Sequence, residues 1–335
     1  MAVTANTRKN IIEWSQHFHR GKVLPEVKML AQDNQILSDI PWVQCNDGTT
    51  HLYNVQTALP TISKSAFGEG AAESKSQKAK ERESCTMLQG FSSVEAEMAN
   101  IGGASGVVRA EEDENFAEAF KQTLSQMLIY ANRGTNIRDF YGAATRMNSL
   151  TGTKAKNVIS CGGVTANAQT SAYIFNWGKD AYGIFPEGTT AGLQKKDLGL
   201  RVKTLANGNQ LPVLQTWHLW HVGLVVEAWP SLVRICNIDV ANAQGLTGNQ
   251  APTSFSNVLH KIVQARLRIR RPGKKVCYVN DTVYGLMMRL AGEKSSAVLS
   301  WQKATTQFGE WMELLIYDMP VRRMDQILDT ESVVA

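Results

Sequence analysis

The sequence predicts an α+β fold from which one long polar excursion projects, and three observations predict it. Apolar residues at three- and four-residue spacing (Phe116, Phe120, Leu124, Met127, Leu128, Ala131) mark a long amphipathic helix. Segments rich in β-branched and aromatic residues, SAYIFNWG at 171–178, VGLVVEAW at 222–229 and LVRICNIDV at 232–240, have strand character. Between two extended flanks, HLYNVQT and SCTMLQGFSSVEAEM, lies SKSAFGEGAAESKSQKAKERE, which is too small, polar and charged to bury a core of its own.

Taken in order, residues 1–44 form an N-terminal segment with a helical pattern around Glu26 to Ile36, stopped at Ile40-Pro41-Trp42 by the proline. The excursion follows. A structureless loop of some twenty residues is unusual inside a compact domain, so this one packs on something outside its own domain or stays disordered. Acidic residues (EEDE at 111–114) crowd the predicted start of the long helix and Arg133-Gly134 its end, which gives 112–133; a second helix is expected from Ile137 to Met147. Beyond the strands, Pro252-Thr253-Ser254 opens a helix with apolar positions at Val258, Ile262, Ala265 and Ile269, and Pro272-Gly273 ends it before the strand KVCYVN. Asn280 or Asp281 caps a short helix that stops at Gly292. The last elements are a strand, WMELLIYD, a turn at Met319-Pro320, and an extended piece through Val321.

With 335 residues, 43% of them apolar, the chain can bury a substantial core, and no run of eighteen apolar residues suggests a membrane span. The N-terminus has charges and histidines where a signal peptide needs an apolar stretch. Five cysteines lie forty or more positions apart, a spacing that suggests neither a zinc knuckle nor a disulfide framework but reduced thiols. The formal charge of +5 permits contact with a polyanion and falls short of a dedicated nucleic-acid binder.

The stretch GIFPEGTTAGLQKKDLG at 183–199 has the glycines and lysines of a phosphate-binding loop. Its spacing fails: three residues, not four, separate Gly188 from Gly192, Lys195-Lys196 is followed by Asp197, and no helix pattern comes next. A hairpin arm with glycines in its turns fits better. His218 and His221 fall on opposite faces of a strand, with no carboxylate or cysteine near in sequence, and His17 and His19 lie in the arm. No catalytic constellation, cofactor motif or metal motif emerges. The run Arg266, Arg268, Arg270, Arg271, Lys274, Lys275 sits at a helix C-terminus, where it is either a solvated helix end that complements the dipole or a phosphate contact without sequence readout.

Three stretches resemble the major capsid proteins of tailed double-stranded DNA bacteriophages, with the fold named after phage Hong Kong 97. They are SAYIFNWGKDAYGIFPEGTTAGLQKKDLG, then WHVGLVVEAWPSLVRICNID with its Arg-Ile-x-Asn-Ile-Asp signature, and the tail IYDMPVRRMDQILDTE. Their wording is most similar to the capsid proteins of epsilon-15-like short-tailed phages. The resemblance implies an N-terminal arm at 1–44, an extended β-hairpin loop at 45–106 lying over a neighbouring subunit, a peripheral domain at 107–252 with the spine helix 112–133, and an axial domain from 253 to 335. It implies no enzyme and no cofactor, and a protein that is assembled in the host cytoplasm into a virion through pentamers and hexamers.

The implied partners are other copies of the chain, a portal protein, a scaffold carried on a separate protein, a decoration or stapling protein, and packaged double-stranded DNA; no membrane is implied. The charged residues of the excursion (Lys75, Lys78, Lys80, Glu81, Arg82, Glu83) are the intersubunit contact candidates, and the basic run 266–275 is a candidate for DNA or subunit contact. No motif marks Lys64, Lys75, Lys78 or Lys80 as a crosslinking residue. A cellular nanocompartment shell of the same fold and a nucleotide-dependent enzyme with an unrecognised site are the competing readings.

Overall fold

Two units form, each gathered from separate stretches of chain: one from 1–34, 87–125 and 190–222, the other from 35–86, 126–189 and 223–335. The computed structural model describes residues 18–19, 22–23, 34–97, 105–152, 154–205, 207–240, 253–292, 299–306 and 309–335. Of the helical pattern around Glu26 to Ile36, residues 26–33 lie outside the described residues.

In the first unit a short antiparallel pair is formed by β1 (Phe18–His19) and β2 (Lys22–Val23). Its helix, α2 (Ser105–Tyr130), begins seven residues before the expected position 112 and ends three before 133. The acidic cluster is therefore not a first turn. Asp113 is buried instead, and Phe120 and Leu124 form the helix's apolar face with Phe116 one turn earlier. The strand β6 (Thr86–Glu95) passes so close to this face that a Cβ on Gly90 would stand 3.1 Å from the Phe116 ring. A long antiparallel hairpin completes the unit: β10 (Gln194–Thr204) and β11 (Gln210–Val226), with β6 paired to β11.

The second unit is built on a seven-stranded sheet. β8 (Gln169–Trp177) is buried along its whole length, as a central strand covered on both faces must be. On one side it pairs antiparallel with β12 (Leu232–Asp239), which carries the parallel β7 (Val158–Ser160). On the other side the order continues through β13 (Lys274–Val279), β16 (Met319–Arg323), β15 (Gly309–Ile316) and β14 (Leu299–Thr306). The helices α4 (Thr253–Arg268) and α5 (Asp281–Gly292) pack Val258, Ile262, Ala265, Val283 and Met287 onto the sheet's apolar face. Asn280 caps α5, its side-chain oxygen accepting from the Val283 N–H at 3.0 Å.

The same unit holds α1 (Ile36–Asp39), the strand β3 (Trp42–Gln44), and β9 (Ala181–Phe185), which pairs parallel with β3 and antiparallel with Gly223–Val226 of β11. Two further expectations need correction. The second helix, expected over 137–147, is the single turn α3 (Ala143–Arg146). The Ala131 carbonyl, which would prolong α2, instead accepts from the Gly142 N–H at 2.8 Å and the Thr145 hydroxyl at 2.8 Å, so the chain turns back at once. The turn expected at Met319-Pro320 lies at Tyr317-Asp318, with Tyr317 at φ +57, while Met319 and Pro320 open β16. The strand β14 has no counterpart among the expected elements.

The signature stretches at 234–239 and 329–331 meet inside this unit. The buried Arg234 guanidinium donates to Glu331 at 2.8 Å and to the Met147 carbonyl at 3.0 Å, and Tyr130 and Ser171 also donate to Glu331. Asn237, held at φ +57 in a bulge of β12, accepts from the Val334 N–H and donates to its carbonyl. No helix among the described residues is long and apolar enough to cross a membrane.

Candidate intersubunit contact site

The polar excursion is a tip that ends in one strand of a ladder. All of it was read as structureless, yet Gln77–Ser84 is the strand β5, paired antiparallel with β4 (Thr50–Ala58) from Thr50↔Ser84 outward to Ala58↔Gln77. Charged side chains do not prevent this, because in an isolated two-stranded ribbon both faces can meet water. At the root the Asn46 side chain bonds both backbone groups of Leu52 at 2.8 Å, and the Cys85 N–H donates to the Thr49 carbonyl at 3.1 Å. Beyond the ladder the connection is held locally: Ser74 donates to the Thr61 carbonyl at 2.7 Å, and Glu69 accepts from the Ala66 N–H at 3.0 Å. This tip exposes three large apolar side chains, Leu59 at 77%, Ile62 at 86% and Phe67 at 110% of their reference areas.

Its charged residues separate by depth along the ribbon. Lys75, Lys78 and Lys80 are exposed. Arg82 forms an exposed pair with Asp47 at 3.2 Å, and Glu81 accepts from the Tyr53 hydroxyl at 2.9 Å. Burial, with Glu83 and Glu81 close by, pushes the Tyr53 hydroxyl pKa well above its ordinary value. Glu83 differs from the other five. It is buried, and its carboxylate accepts from Arg146 at 2.6 Å; Arg146 in turn donates to the carbonyls of Leu224 at 2.9 Å and Tyr141 at 3.0 Å. Read from sequence as a contact candidate, Glu83 is committed within its own subunit as the anchor of the hairpin root.

The basic run is largely tied down. Arg266 pairs with Asp318 at 2.5 Å, Arg271 with Asp180 at 2.7 Å, and Lys274 with the buried carboxylate of Asp39 at 2.7 Å. Asp39 also meets Tyr278 and Arg322, so Lys274 belongs to an internal network. Arg270 is exposed, and Arg268 and Lys275 are half-buried.

The glycine-rich stretch is the connection from β9 to β10, with Gly188 and Gly192 at φ +76 and +97, and a strand, not a helix, follows. His218 and His221 point to opposite faces of β11, as their spacing requires. His218 is buried, stacked on Phe116, with Nε2 3.1 Å from Asp113; Ser92 and Lys195 bond the same carboxylate. This cluster was missed because its members are scattered along the sequence from Ser92 to His218. Burial lowers the pKa of His221. Among the described residues no group of three or more His, Cys, Asp or Glu side chains could hold a metal ion.

A family model described as "Major capsid protein GP7" matches residues 19–335. The chain belongs to the GP7 major capsid protein family. It is therefore a structural protein of a viral capsid and part of the virion. Among solved structures the chain is similar to that of bacteriophage epsilon15, with a TM-score of 0.71 and 24% identity over 100% of this chain and 99% of that one. The SrpI encapsulin of Synechococcus elongatus PCC 7942 matches with a TM-score of 0.46 and 12% identity, over 72% of this chain and 99% of that one. The capsid of bacteriophage JBD30 matches with a TM-score of 0.45 and 9% identity, over 79% and 84%. No curated protein sequence matches significantly. The fold of this GP7-family chain is the Hong Kong 97 type.

Proposed function

We propose that this chain assembles through rings of five and six copies into an icosahedral shell around the double-stranded DNA genome of a tailed phage, with the hairpin β4–β5 lying across a neighbouring copy. One observation carries the reading: a ribbon anchored at its root by the buried Glu83–Arg146 pair exposes Leu59, Ile62 and Phe67 at its tip. Large apolar side chains left this exposed at the tip favour contact with another surface. The exposed Lys75, Lys78, Lys80 and Arg82 supply charge around that contact, each pair contributing about 0–1 kcal/mol, whose effect comes from repetition over many copies. In this reading residues 1–44 are the arm, 45–106 the extended loop, 107–252 the peripheral domain and 253–335 the axial domain.

The same reading gives the chain no catalytic role, assembly in the host cytoplasm, and partners in a portal protein, a separate scaffold, a decoration protein and packaged DNA. Contact with DNA is electrostatic and blind to sequence; since three cations of the 266–275 run are paired internally, Arg270 leads the remainder. Electron microscopy of the purified chain, alone and with its phage scaffold, tests the proposal. Closed shells with five- and six-fold rings are expected. Monomers or dimers under every condition would contradict it.

A further inference from the structure

The thiols of Cys45 and Cys85 touch, with their sulfurs 3.3 Å apart, although the residues stand 40 positions apart in sequence. They flank the hairpin: Cys45 follows β3, and Cys85 lies between β5 and β6. Both backbones are already fixed, the Cys45 N–H donating to the Phe185 carbonyl at 2.9 Å and the Cys85 N–H to the Thr49 carbonyl at 3.1 Å. Tyr53, Tyr182, Ile184, Val225 and Val55 pack around the pair. Little chain ordering therefore separates the contact from a bond; the sulfurs need only close to the roughly 2.05 Å of a disulfide.

We propose that Cys45 and Cys85 are a covalent modification site: an intrachain disulfide that closes the root of the hairpin when the protein meets an oxidising medium. The oxidant is a small-molecule disulfide. Cys85, the more exposed of the two, loses its proton and attacks one sulfur of that disulfide, expelling the first small thiolate and leaving a mixed disulfide. Cys45 then loses its proton and attacks the Cys85 sulfur, forming the Cys45–Cys85 bond and expelling the second thiolate. Two electrons pass from the cysteine pair to the small disulfide, and the two protons end on the two released thiols. Burial pushes both thiols above their ordinary pKa, so the reaction is slow at neutral pH and quickens as pH rises. The proposal is independent of what the hairpin does in the shell, since both sulfurs belong to one chain.

The test treats the full, folded chain with oxidised glutathione at pH 8.5, then denatures it, labels remaining thiols and weighs the products. The labelled thiols are expected to fall from five to three, with one crosslinked peptide pair joining Cys45 to Cys85. Five labelled thiols, a stable glutathione adduct on Cys85, or a bond between other cysteines would overturn the proposal. Cys45→Ser is expected to leave Cys85 trapped as the glutathione adduct; because the parent chain alone decides the bond, misfolding of that variant would not rescue or sink it.

Discussion

The Glu83 carboxylate and the Arg146 guanidinium are 63 positions apart in sequence and 2.6 Å apart in space. Both are buried, so removing either leaves a charge in a poorly solvating site without its partner. Arg146→Met is therefore expected to cost about 3–5 kcal/mol in urea unfolding. Arg82→Ala, which deletes the exposed pair with Asp47 on the same strand, is expected to cost about 0–1 kcal/mol. Equal losses would refute the division of the hairpin into an anchored root and a free outer part. His51 gives a pH dependence. The single proton of Tyr182 goes to Glu227 at 2.5 Å, so His51 Nε2–H donates to Tyr182 at 2.9 Å, and buried Nδ1 has no hydrogen-bond partner. Burial, partly opposed by Glu227, lowers the folded-state pKa below the ordinary 6.5. As pH falls below about 6.5 the unfolded chain takes up the proton first, so stability is lost with acid and regained as pH rises. His51→Gln is expected to flatten that part of the stability-against-pH profile; an unchanged profile would exclude His51 as its source. None of these partnerships was legible in sequence, because residue types within one segment do not say which distant segment will lie beside them.

At the scale of elements, legibility followed burial. β8 and β12 were found because they are rich in β-branched and aromatic residues, α4 because its apolar stripe is bounded by Pro and Gly, and α5 because Asn280 caps it and Gly292 stops it. Errors arose where a local signal served a distant contact. Glu111 to Glu114 resembled the start of a helix, but Asp113 faces inward to His218, Ser92 and Lys195. A second helix was expected from Ile137 to Met147, but the return of the chain onto Ala131 takes up those residues. That return is testable at Gly142, where an added Cβ would stand 2.5 Å from the Ile129 carbonyl oxygen and 2.9 Å from the Ala131 nitrogen. Neither can yield without moving the end of α2. Gly142→Ala is expected to cost about 1–3 kcal/mol and to lower the melting temperature, whereas Gly106→Ala, with open space around its Cβ, should not destabilise. A Gly142→Ala protein as stable as the parent would show that the turn relaxes freely.

For the whole molecule, the features that identify the family stabilise one subunit. Arg234 and Glu331, from two of the resembling stretches, bond to each other, and Asn237 holds Val334. Conversely, the hairpin that serves assembly in the proposed function had no recognisable wording beyond small, polar and charged residues, because a surface completed by another copy needs no internal core. The apolar residues in its tip, Leu59, Ile62 and Phe67, are too widely spaced to form a pattern of their own.

The clasp role of the hairpin is tested most directly by replacing residues 66–80 with a tight turn and comparing shells of the shortened and parent proteins under rising urea. The root, with Glu83, Arg146, Cys45 and Cys85, is left intact. The melting temperature of the unassembled subunit is expected to stay within a few degrees of the parent, while shells fail to form or fall apart at clearly lower urea. Shells of the shortened protein that withstand urea as well as the parent's would show that the hairpin is not an intersubunit clasp.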